Sequence, residues 1–384
     1  MTGDGWGFAT RAIHAGQDAD PATGAVVVPI YQTSTFAQDG VGRPRQGWEY
    51  SRSGNPTRTA LETALASLEG GTTGLAFASG LAATDVLLRT VLRPGDHVVI
   101  PHDAYGGTFR LVARVFEPWG VTWTAVDLGD LVALDDALKR PTALVWCETP
   151  TNPLLGIADI AAVAERAHRR GALLAVDNTF ASPYLQQPLS LGADVAVHST
   201  TKYLAGHSDV VGGALVTAES GLGEQLRFQQ NATGAIAGPF DAWLVLRALK
   251  TLAIRMEAHC DHAERIVELL LGHPAVTEVR YPGLPGRPGA EVAAAQMRRF
   301  GGMVSFHVRG GRPAAVRVCE STRLFTLAES LGGVESLIEH PATMTHASVA
   351  GSALAVPDDL VRLSVGIESV EDLLEDLRGA LDQV

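Results

Sequence analysis

Seven short apolar runs, separated by longer helical or polar segments, constrain the fold of this chain more than any other feature. They lie at 75–77, 97–100, 121–126, 143–146, 172–176, 195–197 and 213–216. A strand with one wet face alternates apolar and polar residues. An unbroken apolar run needs cover on both faces, as a parallel strand has between layers of helices. Helix candidates such as 158–170 lie between the runs, so the pattern predicts βαβ units and a doubly wound, mainly parallel α/β sheet. Upstream, Leu61, Leu65 and Leu68 follow Pro56 at helical spacing, and Gly70-Gly71 ends that segment. A long helical pattern spans 243–271, and the remainder reads as mixed α+β with a Pro/Gly-rich turn at 281–289. The predicted organisation is an irregular arm over 1–56, a large α/β domain over 57–248 and a smaller α+β C-terminal domain over 249–384.

Composition bounds the function. With 46% hydrophobic and 19% charged residues, the 384-residue chain can bury a large core. The 30 basic and 42 acidic side chains leave a net charge of −12. That balance argues against a nucleic-acid partner, which needs a basic stripe, and against an anionic membrane surface. No apolar run reaches the ~18 residues of a membrane span. The first 16 residues lack the basic-then-apolar pattern of a secretory signal. Cys147, Cys260 and Cys319 form no C-x-x-C pair, so neither a disulfide framework nor a thiolate metal site is expected, and a reducing cytoplasm fits.

Ligands of an open α/β sheet bind beyond the carboxyl ends of its strands. Four of those ends carry polar residues: Asp177 after 172–176, Ser199-Thr200-Thr201-Lys202 after 195–197, Ser79-Gly80 after 75–77, and Tyr105 just beyond 97–100. Alone, each has an ordinary explanation: a helix cap, a surface lysine, a turn, a packed ring. Together they supply what pyridoxal phosphate (PLP) requires. Its aldehyde needs a lysine amine, and its ring nitrogen needs an anion to stay protonated. Its phosphate needs N–H groups at a helix N-terminus, and its flat ring can stack on an aromatic face. No H-E-x-x-H and no G-x-G-x-x-G after the first strand is present, which sets aside a zinc hydrolase built on His259/His262 or His340/His346 and a dinucleotide dehydrogenase. Intact Lys202, Asp177 and Tyr105 argue against a non-catalytic binding protein.

The segment 194–208, DVAVHSTTKYLAGHS, resembles the lysine signature of the Cys/Met-metabolism family of PLP enzymes. Further matches cover nearly the whole chain: YSRSGNPT at 50–57, ASGLAA at 78–83, YGGT at 105–108, ETPTNP at 148–153, DNT at 177–179, SLGGVESL at 330–337 and RLSVGIE at 362–368. The resemblance implies an aspartate-aminotransferase-like, fold type I architecture. It implies that Lys202 holds the cofactor covalently, that Asp177 pairs with the ring nitrogen, and that Tyr105 stacks on the ring and moves protons at the leaving group. Gly80, Leu81, Ser199 and Thr201 would hold the phosphate, with Tyr50 and Arg52 reaching it from a neighbouring subunit in a dimer of dimers with shared active sites. Arg362 would clamp the substrate carboxylate, supported by Ser330 and Asn152. Glu49, Glu329 and Arg110 resemble positions that meet the far amino acid head of cystathionine. A lowered phenol pKa would help Tyr105 in its proton-transfer role.

Within the family the resemblance points to γ-elimination on a sulfur amino acid. The wording at 78–81 leans to cystathionine γ-lyase, giving cysteine, 2-oxobutanoate and ammonia. Cystathionine γ-synthase, joining an O-acylhomoserine to cysteine, is the first alternative and methionine γ-lyase the second. The last carries a cysteine two residues after the stacking tyrosine, where this chain has Gly107.

Overall fold

A computed structural model describes residues 5–346 and 355–384. Among these the strands form two sheets. All seven apolar runs are strands: β1 (Thr73–Phe77), β2 (His97–Pro101), β3 (Thr122–Val126), β4 (Leu144–Glu148), β5 (Leu173–Asp177), β6 (Val195–His198) and β7 (Gly213–Thr217). Their order is β1-β7-β6-β5-β4-β2-β3. β3, β2, β4, β5 and β6 pair in parallel, whereas β7 runs antiparallel to both β6 and β1. The apolar run at 213–216 therefore marks a buried strand but not a parallel one. Cover on both faces gives the same run whichever way the strand points.

The helix read at 61–68 is α2 (Pro56–Glu69), following α1 (Phe8–His14). Asn55 caps α2, its Oδ1 accepting the N–H of Thr57 at 3.0 Å, and Gly70 closes it at φ 76°. Leu61, Leu65 and Leu68 are fully buried, as their spacing predicts. α1 is a departure from the expected aperiodic arm. Its seven residues are too few to establish a period, and it is held by packing against α2 and the helix Leu252–Gly272, with Phe8 edge-on to Tyr184.

The helical pattern at 243–271 is two helices, Pro239–Leu249 and Leu252–Gly272. The buried Arg255 guanidinium sits at the break. It donates to Ala248 O at the end of the first helix (3.0 Å) and to Tyr203 O beside Lys202 (2.7 Å). The Ala248 carbonyl, which the N–H and Oγ1 of Thr251 also reach at 3.1 Å, thus shares a side chain that braces the lysine loop.

The second sheet is ordered β10-β11-β12-β9-β8, from β8 (Val276–Arg280), β9 (Met303–Val308), β10 (Thr326–Leu327), β11 (Leu337–Glu339) and β12 (Leu360–Ser364). Val361 and Leu363 of β12 enter a core with Phe306, Ile266 and Leu377. The alternate residues Arg362 and Ser364 face the first sheet, where Ser305 donates to Pro153 O at 2.7 Å.

Candidate active site

The carboxyl ends of β1, β2, β4, β5 and β6 open into a cavity of about 340 Å³, closed on its far side by β12 and the Glu329–Leu331 loop. Of the residues singled out from sequence, Gly80, Leu81, Tyr105, Asn152, Asp177, Ser199, Thr201, Lys202, Glu329, Ser330 and Arg362 line it. Tyr50, Arg52, Glu49 and Arg110 do not line the cavity of their own chain. Tyr50 is exposed, with the Arg52 guanidinium 5.3 Å from its ring centroid, and Arg52 Nε donates to Asn231 Oδ1 at 3.2 Å. Glu49 and Arg110 are also exposed.

Ser79 caps α3 (Gly80–Val91), its Oγ accepting the N–H of Ala82 at 3.0 Å. The first N–H groups of a helix lack intrahelical partners and attract anions, and here they belong to Gly80 and Leu81 on the cavity wall. A Cβ on Gly80 would stand 3.0 Å from Ser199 Cβ and 3.2 Å from Ser199 Oγ, so the space beside this turn exists because residue 80 is glycine. Thr201 Oγ1 exchanges hydrogen bonds with the Gly212 backbone.

Lys202 lies just beyond β6, and its Nζ donates to Ser330 Oγ at 2.7 Å. Burial, reinforced by the Arg362 charge, brings the ammonium down to about 8, so the amine is within reach of its nucleophilic form. Ser330 adopts φ 93°, a backbone strain that a non-glycine residue accepts at functional sites. In that conformation its hydroxyl meets Lys202 and its carbonyl meets Arg362 Nη2 at 2.7 Å.

Asp177 ends β5, with Oδ1 accepting the N–H of Thr179 at 3.0 Å. Burial raises its pKa. Across the β4–β5 ladder its partner is Glu148, a cavity-lining carboxylate that burial and the Asp177 charge push well above the usual range. Two buried carboxylates side by side fit a cation between strand ends and cavity, as a protonated pyridine nitrogen would be.

Arg362 is the strand partner of Glu339 on β11, and the two form a buried ion pair at 2.9 Å. Arg362 Nη1 also donates to Asn152 Oδ1 at 2.7 Å. Its Nε is buried without a partner among the described residues, which leaves part of the guanidinium for an arriving carboxylate.

Tyr105 sits at the start of α4 (Gly106–Leu111), its N–H donated to Glu148 Oε2 at 3.0 Å. Its phenol is raised rather than lowered: burial dominates, and Arg110 and Arg362 offset it only in part. The lowered pKa that a proton-shuttling phenol would favour is absent. Gly107 lies tight beneath the ring, where a Cβ would stand 2.4 Å from Tyr105 Cε1.

Sequence reading missed Glu148 and Glu339. Glu148 opens the ETPTNP stretch, but nothing in the string says that its two oxygens serve two loops. Glu339 had one signal, a charge within the apolar run 337–339. His259 and His262 donate to Val365 O and Gly366 O, and among the described residues no His/Cys/Asp/Glu group could hold a metal. Nor is any described helix long and apolar enough to cross a membrane.

A lysine, an anion, an aromatic ring and a phosphate-type helix start, gathered on one doubly wound sheet, define a fold type I PLP enzyme. The chain matches the family described as Cys/Met metabolism PLP-dependent enzyme over residues 9–382, and it belongs to that family. It is 64% identical over 375 residues to cystathionine gamma-synthase of Mycobacterium tuberculosis, covering 98% of this chain and 97% of that one. It is 52% identical over 377 residues to cystathionine beta-lyase of Lactococcus lactis, covering 97% and 98%. The crystal structure of metB from Corynebacterium glutamicum superposes with a TM-score of 0.98 at 56% identity, over 99% of both chains.

Proposed function

We propose that this chain is a cystathionine γ-synthase: the thiol of cysteine replaces the γ-acyloxy group of an O-acylhomoserine, giving cystathionine and the free carboxylic acid. The observation that carries this reading is the 64% identity, over 98% of the chain, to relatives named for that reaction. It displaces the lean to γ-elimination drawn from residues 78–81, which differs only in the fate of the substrate after the γ-group leaves. Gly107 stands where methionine γ-lyases carry a cysteine, which weighs against that alternative.

PLP, when bound, supplies an electron sink for the bond broken at Cα. The roles of the side chains follow from their positions. Arg362, with Asn152 and Ser330 holding its Nη groups, receives the α-carboxylate. Lys202 holds the cofactor and then, as a free amine near its pKa, carries the Cα proton. Asp177 would face the ring nitrogen, and Gly80, Leu81, Ser199 and Thr201 would hold the phosphate. Tyr105 would stack on the ring and, protonated, serve as a donor near the leaving group. Glu329 lines the cavity, and Glu49 and Arg110, which lie outside the cavity of their own chain, would meet the second amino acid at its rim.

Tyr50 and Arg52 lie outside their own cavity, and this is the observation for the assembly. They complete a second copy's phosphate site in a dimer of dimers, with 1–56 as the crossing arm, 57–248 as the cofactor domain and 249–384 as the C-terminal domain. Three buried free cysteines support the cytoplasm, a reducing compartment, as the location. One incubation series tests the reaction: O-succinyl- or O-acetylhomoserine with cysteine, and cystathionine alone, followed by cystathionine and 2-oxobutanoate assays. Cystathionine formation is expected to dominate. Cleavage of cystathionine with no net synthesis would reverse the assignment in favour of the lyase.

A further inference from the structure

Glu148 is 5% exposed, lines the cavity, and beyond its place beside Asp177 has no part in the roles above. Its two oxygens are used separately. Oε2 accepts the N–H of Tyr105 at 3.0 Å, in the loop after β2, and Oε1 accepts the N–H of Asn152 at 3.1 Å, in the loop after β4. Asn152 in turn holds Arg362 Nη1 at 2.7 Å. The same two loops are joined once more below, by Thr151 Oγ1 donating to Asp103 Oδ2 at 2.5 Å.

We propose that Glu148 is a positioning residue that sets the distance between the ring-stacking wall, Tyr105, and the carboxylate-clamping wall, Asn152 with Arg362. The inference rests on the roles given to Tyr105 and Arg362, and not on which γ-group leaves. A carboxyl group is suited to the task because each oxygen can accept an N–H in its own plane. The amide of a glutamine can accept only one of the two; its NH₂ brings hydrogens against the other N–H. An aspartate keeps the carboxyl group but retracts both oxygens by one carbon from loops fixed elsewhere. The buried N–H left unaccepted then moves its loop.

The test uses PLP-loaded protein, Glu148→Gln and Glu148→Asp, with three readouts: the visible circular dichroism of the bound cofactor, the affinity for glycine by spectral titration, and the thermal midpoint. Glycine has no γ-carbon, so its binding reports the clamp whatever reaction follows. The wild-type spectrum and glycine affinity test the site assignment itself, and the variant-to-wild-type ratio tests Glu148. Cofactor dichroism is expected to fall in both variants, with glycine affinity weakened roughly ten- to a hundredfold. Three results overturn the proposal. One is Glu148→Asp behaving as wild type, which would mean that a carboxyl group at any reach suffices. Another is both variants keeping wild-type dichroism and affinity. The third is a lowered thermal midpoint with those two readouts unchanged, which would reduce Glu148 to a structural residue. If Glu148→Gln fails to fold, Glu148→Asp decides by the same criteria.

Discussion

Gly213 opens β7 directly beneath the turn that starts α3. A Cβ at this position would stand 2.2 Å from Ser79 O, 2.6 Å from Ser79 C and 2.8 Å from Gly80 Cα. These are backbone atoms, so no rotamer change relieves the contact. Relaxed non-bonded atoms sit about 3.5–4.0 Å apart, so an added methyl must push the turn away by more than about 1 Å. β7 itself is pinned, with Gly213 paired to Phe77 of β1 and its neighbour Ala214 to His198 of β6. The displacement therefore falls on Ser79–Leu81, whose N–H groups are assigned to the phosphate. Overpacking of this kind costs about 1–3 kcal/mol. If that strain is relieved only when the turn abandons its binding geometry, Gly213→Ala weakens PLP affinity by roughly 5- to 150-fold. The assay is titration of apoprotein with PLP, followed by cofactor absorbance. Gly221→Ala is the control, because nothing lies within 4 Å of its added Cβ. Equal PLP affinity in wild type and Gly213→Ala would refute the reasoning, as would an equal loss in Gly221→Ala.

Other expectations follow from the same geometry. Because the Lys202 ammonium is brought down to about 8, the rate at which apoprotein covalently recaptures PLP should rise with pH and level off above about 8; a rise continuing to the ordinary lysine range near 10.5 would contradict the burial argument. Tyr105→Phe keeps the ring and removes the hydroxyl, so cofactor content should hold while kcat falls by about 10²-fold or more, measured by cystathionine formation. Asp177→Asn should lower PLP affinity and all turnover together, because an amide no longer supplies an anion to the ring nitrogen. Arg52→Ala should weaken PLP binding in the assembled oligomer, by titration at high and low protein concentration. An unchanged affinity in the oligomer would end the crossing-arm proposal.

Much of the site could be read from the string because its residues sit where local rules operate. Asp177 follows an apolar run with no intervening residue, Lys202 lies in a long signature, and Ser79-Gly80 joins a strand to a helix cap. Arg255 illustrates what escapes such rules. A 29-residue helical pattern at 243–271 gives no sign of a break, since a side chain of the second helix supplies a stabilising donor to the first. Tyr105 is a second case: its phenol depends on how burial balances Arg110, Glu148, Glu329 and Arg362, charges drawn from four separate stretches of chain.

By itself the sequence determined the doubly wound sheet, the glycine end of α2, the lysine–aspartate–tyrosine set and the family. Unbroken apolar runs and capping residues record burial and hydrogen bonding within a few positions of the chain. Tertiary structure decided the antiparallel course of β7, the break at Lys250-Thr251, the Arg362–Glu339 pair across β12 and β11, and the double use of Glu148. All but the helix break join segments far apart in sequence. A residue type advertises how many hydrogen bonds it can make, and only the packed fold chooses which distant groups receive them.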